Sequence, residues 1–443
     1  MRRLRLAIPL VILPVAFALA PASALAGADT YYAGPGGSGS ACKGQPAKPC
    51  ALEEAVSLAN GGDIVVLEPG AYSLKPSGLA IGKEIEIGGE PGKAAATVLE
   101  TTGLSGLYES GAAKPAVHDL SVDGAGGVLL NSGSAERLFV SYSGASAACS
   151  FYGGTMLLDS VCWAHGGPGS FALAPNLAGG TGTVTLRNVT AVSSGSSASA
   201  IYAKATGGGV LTVEASDVIA RSPNGADVAA ILGAGGTGVT VNLSHSNYGT
   251  IDQGLLGTTV TQPGTNGNPT AAPVFVDAAN GDFRQALGSP TIDSGSSSPA
   301  ELLGYEGRPR LDLAGAVRVQ SICLGRTPAI DIGAYEASPV DCTPENRFRI
   351  TKQSLNRKRG TATLTVALPG AGSLTLSGPG LKSVAKSVTA GGTVKLPVLP
   401  VGKARFRLRE TGKRKVTPKV SFTPTGGTLF HLGHTMVLRE RAG

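Results

Sequence analysis

Short apolar runs, broken by glycine and polar turns, dominate the chain, and few stretches carry helical spacing. One that does is Cys50 to Ala59 (CALEEAVSLA), where Leu52, Ala55, Val56 and Ala59 share one face and Glu53 and Glu54 lie opposite. Asn60-Gly61-Gly62 predicts a left-handed helix end, Asp63 to Leu67 (DIVVL) a strand, and Glu68-Pro69-Gly70 a turn. A short amphipathic helix ahead of the first strand suits the open end of a stacked core, which solenoids must cover.

Further on, a polar residue repeatedly precedes an apolar alternation: HDLSVDG, ERLFVSYSG, LDSVCWAHG, RNVTAVSSG, SDVIARS and SHSNYG. Aligning the polar position gives Asp119, Arg137, Asp159, Asn188, Asp217 and His245, spaced by 18, 22, 29, 29 and 28 residues. A strand-rich quasi-repeat of that length predicts an all-β solenoid whose coils hydrogen-bond to one another. Val189, Val192, Val213, Val218 and Ile219 are the expected interior positions. A propeller needs four strands per blade and motifs absent here, and a sandwich does not explain the repeat.

Composition sharpens this picture. With 65 Gly and only 10 Phe, 10 Tyr and one Trp, the core is expected to be narrow. The opening Met1-Arg2-Arg3-Leu4-Arg5, an apolar run from Leu6 to Ala20 and the small residues of Ser23–Ala26 read as a secretory signal peptide over residues 1–26. No later stretch is apolar enough to span a membrane. Six cysteines form three close pairs, Cys42/Cys50, Cys149/Cys162 and Cys323/Cys342, which an oxidising compartment would turn into local disulfides. The rival metal reading lacks C-x-x-C spacing and has only His165 nearby.

Charge divides the chain. Residues 343–443 hold 19 Lys and Arg against three acids, a net of +16, while residues 27–342 hold 27 acids against 15 bases, a net of −12. The organisation expected is a signal peptide, a solenoid over 27–338, a linker over 339–346 and a basic β-sandwich over 347–443. The sandwich strands are Arg347–Ile350, Thr361–Leu368, Ser373–Leu376, Thr393–Leu396, Ala404–Arg409, Lys419–Phe422 and Thr435–Leu438. Read as a strand, ARFRLR aligns Arg405, Arg407 and Arg409 outward, with Lys413, Arg414 and Lys415 following. That stripe is a candidate surface for a polyanion, or a solvated face that keeps the module soluble. Export and the lack of interleaved aromatics argue against nucleic acid.

Two segments carry a family resemblance. DTYYAGPGGSGSAC with CALEEAVSLANGGDIVVLEPGAYSL resembles the cap and first coil of secreted right-handed parallel β-helix proteins of the pectate-lyase-like superfamily. PVFVDAANGDFR, GSPTIDSG, GRPRLD and AIDIGAYE resemble that group's C-terminal choice-of-anchor Q signature, and the tail resembles basic immunoglobulin-like modules of actinobacterial exported proteins. The resemblance implies a right-handed parallel β-helix and export far more than an activity. A departure is the loop carrying Cys323 before the last motif, read as a Cys323–Cys342 staple. In AIDIGAYE, Gly333 is expected to bend the chain, Tyr335 to cover the open end, and Asp331 and Glu336 to cap turns.

The resemblance also admits a polysaccharide lyase or hydrolase, since the superfamily includes both. A lyase needs carboxylates around Ca²⁺, for which Asp119, Asp123, Asp159 and Asp217 are available, and a basic residue such as Arg137, Arg187 or Arg221. A glycosidase needs two facing carboxylates, and no Asp-Asp pair occurs. The competing reading makes Asp119, Asp159, Asn188 and Asp217 turn residues, His118 and His245 isolated surface residues, and Trp163 a ring packed over the neighbouring disulfide. The leading expectation is a secreted or wall-associated scaffold that contacts polysaccharide or anionic cell-wall polymer, with no cofactor or metal. The alternatives are a Ca²⁺-dependent lyase or hydrolase of acidic glycan, and a purely adhesive surface protein.

Overall fold

A computed structural model describes residues 27–254, 256–296, 310–319, 329–338 and 344–441. The expected leader and the Cys323–Cys342 pair lie outside the described residues. The chain forms two compact units, one reaching Val319 and including Ala329–Ala337, the other running from Ser338 onward.

The first unit is a right-handed parallel β-helix, three-sided in section. Its first face stacks strands such as Gly133–Glu136, Thr155–Leu158, Thr181–Arg187, Val210–Ser216 and Gly238–Ser244 in parallel register. The second face stacks the segments after the corner, including Leu138–Tyr142, Val161–Ala164, Thr190–Ser193 and Ile219–Arg221. An eight-stranded parallel sheet from Leu79–Ile81 to Ile251–Gln253 makes the third. The register pairs Glu136 with His118 and Leu158, and Arg187 with Leu158 and Ser216, so the quasi-repeat spacings are coil lengths.

All six aligned polar residues sit at the corner between the first two faces, in the left-handed backbone region: Asp119, Arg137, Asp159, Asn188, Asp217 and His245 have φ between 46° and 55°. Asp and Asn tolerate that conformation because their short polar side chains bond locally, which explains their recurrence. The corners are also rungs: Asp159, Asn188 and Asp217 donate their N–H to Arg187, Ser216 and Ser244 carbonyls at 3.0, 3.1 and 3.2 Å.

Inward positions are small and fully buried, among them Val140, Cys162, Leu173, Val189, Ile201, Val213 and Val218. Two expected interior residues turn outward instead: half-buried Val192 joins an external cluster, and Ile219 is covered by Gly333. The opening helix, Leu52–Leu58, buries Leu52, Ala55 and Val56. Its end is extended at Ala59 (φ −62°, ψ 143°) rather than left-handed, and Lys83 Nζ satisfies the freed Ser57 and Ala59 carbonyls at 2.6 and 2.5 Å. Cys42–Cys50 and Cys149–Cys162 are disulfides.

The second unit is a small β-sandwich. A three-stranded antiparallel sheet (Arg349–Asn356, Thr361–Leu368, Gly392–Val398) and a four-stranded one (Val384–Val388, Gly372–Ser377, Lys419–Pro424, Phe430–Gly433) enclose Leu364, Val366, Leu374, Leu376, Leu396 and Phe422. A two-stranded ribbon joins Lys413–Val416 to Met436–Arg439. The expected strand over Ala404–Arg409 is instead a helix, Gly402–Thr411. Its buried residues are Ala404 and Leu408, four apart, whereas Phe406 is 63% exposed, which no strand with Ala, Phe and Leu inward would allow. Its residues are mostly strong helix formers, and period 2 and period 3.6 coincide over so short a run.

Candidate functional site

Four of the six corner residues, Asp119, Asp159, Asn188 and Asp217, are fully buried, and Arg137 and His245 are partly so. A strap made by residues 273–296, 310–319 and 329–337 lies over the second face, packing Phe283, Leu313 and Ala334 on Val161, with Phe139, Trp163, Val192, Phe275 and Tyr335 around them. Gly333 (φ 102°) allows the close approach, since a Cβ there would lie 2.7 Å from Ile219 and 2.8 Å from Thr190. The strap then hydrogen-bonds to the helix: Gly333 N–H donates to the Asp217 carbonyl at 2.8 Å, and Ala334 N–H to Thr190 Oγ1 at 3.0 Å. Tyr335 therefore covers the flank, not the open end.

This strap consumes two of the four candidate carboxylates, Asp159 and Asp217. Asp159, fully buried, accepts Arg310 at 2.8 Å on one oxygen and Arg318 at 2.6 Å on the other. Arg318 also reaches Glu336 Oε1 at 3.2 Å and the Gly333 carbonyl at 2.8 Å. Asp331 takes the N–H groups of Asp293 and Ala337 at 2.7 Å each, and Asp312 those of Ala314, Ala316 and Glu336. Asp217 takes the Ser296 N–H at 2.6 Å. Within the strap contact four carboxylates (Asp159, Asp312, Asp331, Glu336) therefore meet two guanidiniums, and burial pushes Glu336 up to about 9, Asp331 up to about 6, and Asp312 above its usual range.

Asp119 heads a second network. It accepts Arg137 Nε at 2.6 Å and the Gly92 N–H at 2.6 Å, while His118 Nδ1 lies 2.9 Å away and its Nε2 is 3.1 Å from Glu86. Burial opposes its charge, but the Arg137 and then the His118 hydrogen bonds hold its carboxyl below the usual range. Burial likewise opposes a charged His118, yet Asp119 raises it above an ordinary histidine. His118 is thus a paired residue, not an isolated one. Arg137 also bonds Glu136.

The remaining candidates are scattered. Arg221 is tied to Asn247 and Asp227, and half-exposed Arg187 makes no ion pair among the described residues. Asp123 is exposed, in register with exposed Glu100 on one neighbouring coil and with Ser141 on the other. Ser141 contacts exposed His165 at 3.2 Å. Trp163 points outward against Phe283 and His165 (ring centroids 5.6 and 4.3 Å), not over the disulfide, because Cys162 faces inward. No group of three or more His, Cys, Asp or Glu among the described residues is placed to hold a metal ion. The corner carboxylates do not fit Ca²⁺, since arginine and backbone donors already occupy them.

Among the described residues, what stays open is the outer side of the eight-stranded sheet. Inward Cys149, Leu173, Ile201 and Val228 are fully buried, whereas Tyr108, Leu129, Ser150, Tyr152, Phe171, Asn176, Tyr202 and Lys204 alternate with buried neighbours and are half-exposed. Tyr152, Asn176, Lys204 and Ile231 follow one column of register, and Phe171 and Tyr202 stack at 4.1 Å. Beside them a depression of about 200 Å³ is lined by Tyr108, Leu129, Tyr142, Ser146 and Ser150. The sequence reading missed this row, although IYAKAT already alternates Tyr and Lys with small interior residues.

In the tail unit the arginine stripe dissolves. Successive helical residues turn by 100°, so Arg405 and Arg407 point apart. Arg405 is held by Glu440 at 2.8 and 3.0 Å and by the Arg359 carbonyl at 2.7 Å. Arg407, Arg409, Lys413, Arg414 and Lys415 are exposed. No helix among the described residues is long and apolar enough to cross a membrane.

No family model matches the chain, and no curated protein matches it. Among solved structures, the crystal structure of pectate lyase Pel9A is 14% identical over 70% of this chain and 96% of that one, with a TM-score of 0.34. ORF18 of Geobacillus virus E2 is 12% identical over 86% and 82%, with a TM-score of 0.24. The strand registers, rather than these likenesses, establish the fold.

Proposed function

We propose that this chain is an exported β-helix scaffold that holds an extended polysaccharide on the outer face of its eight-stranded sheet without cleaving it. The observation that carries the reading is that Tyr108, Tyr152, Phe171 and Tyr202 stand half-exposed on one sheet face, uncovered among the described residues, with Tyr152 in register with Asn176 and Lys204. Parallel coils repeat binding positions at about 4.8 Å, which suits a linear polymer lying along the axis. Aromatic bodies with polar tips contact the apolar faces and hydroxyls of sugars together. The two disulfides support an oxidising destination.

The test is titration with a panel of neutral and uronate polysaccharides, with and without Ca²⁺, while unsaturated and reducing ends are followed. Binding without product, weakened about tenfold by Tyr202→Ser, is expected, as the loss of about 1.4 kcal/mol of aromatic contact predicts. Product release, or no binding to any polysaccharide, removes the proposal. The hydrolase reading keeps one specific support, the exposed register pair Glu100 and Asp123. It requires Asp123→Asn to abolish any product formed.

A further inference from the structure

The tail unit carries 19 Lys and Arg between residues 343 and 443 against three acids, and Arg405–Glu440 is its ion pair among the described residues. The rest of its cations must be hydrated or meet an external anion. The ribbon of Lys413–Val416 and Met436–Arg439 concentrates them. Val416, Met436 and Leu438 are buried, so alternation turns Lys413, Lys415, Val437 and Arg439 to solvent. Lys413 stands directly across from Arg439, a like-charge pairing that destabilises a ribbon when nothing neutralises it. Glu440 turns back to Arg405, which sends Arg441 outward again, and Arg441 N–H binds the Arg357 carbonyl at 2.9 Å, bringing the Arg357-Lys358-Arg359 turn alongside.

We propose that this ribbon face, Lys413, Lys415, Arg439 and Arg441 flanked by Arg357, is a docking strip for a linear phosphate polymer. Lys413 and Lys415 occupy alternate positions of one strand, about 7 Å apart, with Arg439 directly across from Lys413 on the other strand and Arg441 two residues beyond it. A flexible phosphodiester or polyphosphate chain can turn successive charges toward one side. A polyuronate flips its carboxylate from ring to ring and cannot do so as readily. None of the residues that make this face, Lys413, Lys415, Val437, Arg439 and Arg441, is aromatic, so the strip itself offers no stacking platform and reads a backbone of charges. The site is independent of the proposed polysaccharide row, and either can fail alone.

The test uses the full chain and long-chain inorganic polyphosphate, with polygalacturonate and an oligothymidylate as competing probes. The variant Lys413→Ala/Lys415→Ala/Arg439→Ala/Arg441→Ala is expected to bind polyphosphate at least about tenfold more weakly. Its slope of log affinity against log salt should be shallower by about 3, from about 0.7 per cation removed. A control that removes the same charge from exposed Lys382, Lys386, Lys395 and Lys403 should stay within about twofold, and Lys413→Arg/Lys415→Arg should retain binding. Equal loss in the control, tighter binding of polygalacturonate or oligothymidylate than of polyphosphate, or no polyphosphate binding at low salt overturns the assignment.

Discussion

Asp159 is where the strap can be released with least collateral damage. Its side chain is fully buried, and it is the shared anion of Arg310 and Arg318, whose side chains are 8% and 1% exposed. Asp159→Asn keeps a residue that tolerates φ 49° while removing the charge. It leaves Arg318 with Glu336 as its remaining salt-bridge partner, which burial already biases toward its neutral form. Breaking a buried pair by removing one partner costs about 3–5 kcal/mol. The strap is a peripheral layer, so local opening is expected before the coils unfold. Hydrogen exchange at the Gly333, Ala334 and Ala337 amides should therefore speed up between about 10² and 10⁴-fold. The core amides of Leu173 and Ile201 should change far less. Arg318→Met, which leaves Asp159 with Arg310, should cost less than Asp159→Asn, and the double variant less than the sum of both. Exchange at Gly333 that rises by less than about tenfold in Asp159→Asn, or strict additivity of the pair, refutes the account of the strap as held by this charge network.

The same network sets a pH dependence. Glu336 and Asp331 have folded-state values raised from 4.5 to about 9 and from 3.8 to about 6, so their contribution is complete below about pH 4 and is lost as pH climbs through 6 and then 9. Limited proteolysis of the strap should accelerate from pH 5 to 9, and Glu336→Gln should flatten the profile; a flat wild-type profile contradicts it. Removing the Cys149–Cys162 bridge, which closes a separation of 13 residues, should cost about 3 kcal/mol in a reversible urea melt. A change under about 1 kcal/mol would show the coil closed without it. At the His245 corner, φ 46° strains a residue less tolerant of that region than asparagine. His245→Asn should raise stability by up to about 1 kcal/mol, read as a higher melting temperature, and a lower one would count against corner strain.

Much of the helix could be read from the chain. Register is set by the backbone between one coil and the next, so the recurrence of Asp119, Arg137, Asp159, Asn188, Asp217 and His245 already measured the coils. Left-handed corners select residues locally, through sterics and short side-chain bonds, and such selection is visible in a string of letters. Val192 and Ile219 show the limit. Both belong to the alternating pattern, yet whether an apolar strand residue faces the core or a second layer depends on a strap about 80 residues or more downstream.

The tertiary structure alone decided the chemistry. Arg318 and Asp159 are 159 residues apart in sequence and 2.6 Å apart in space, so the loss of the corner carboxylates to buried ion pairs has no local signal. Arg405, Arg407 and Arg409 make the opposite case: a six-residue alternation fits strand and helix alike, and contacts of Ala404 and Leu408 with the tail core chose the helix. Sequence thus determined the repeat, the corners and the division of charge, because each is written within a coil or a segment. Which carboxylates are sealed, which aromatic row is open and which cations line up depend on distant segments packing together, and only the folded chain holds that information.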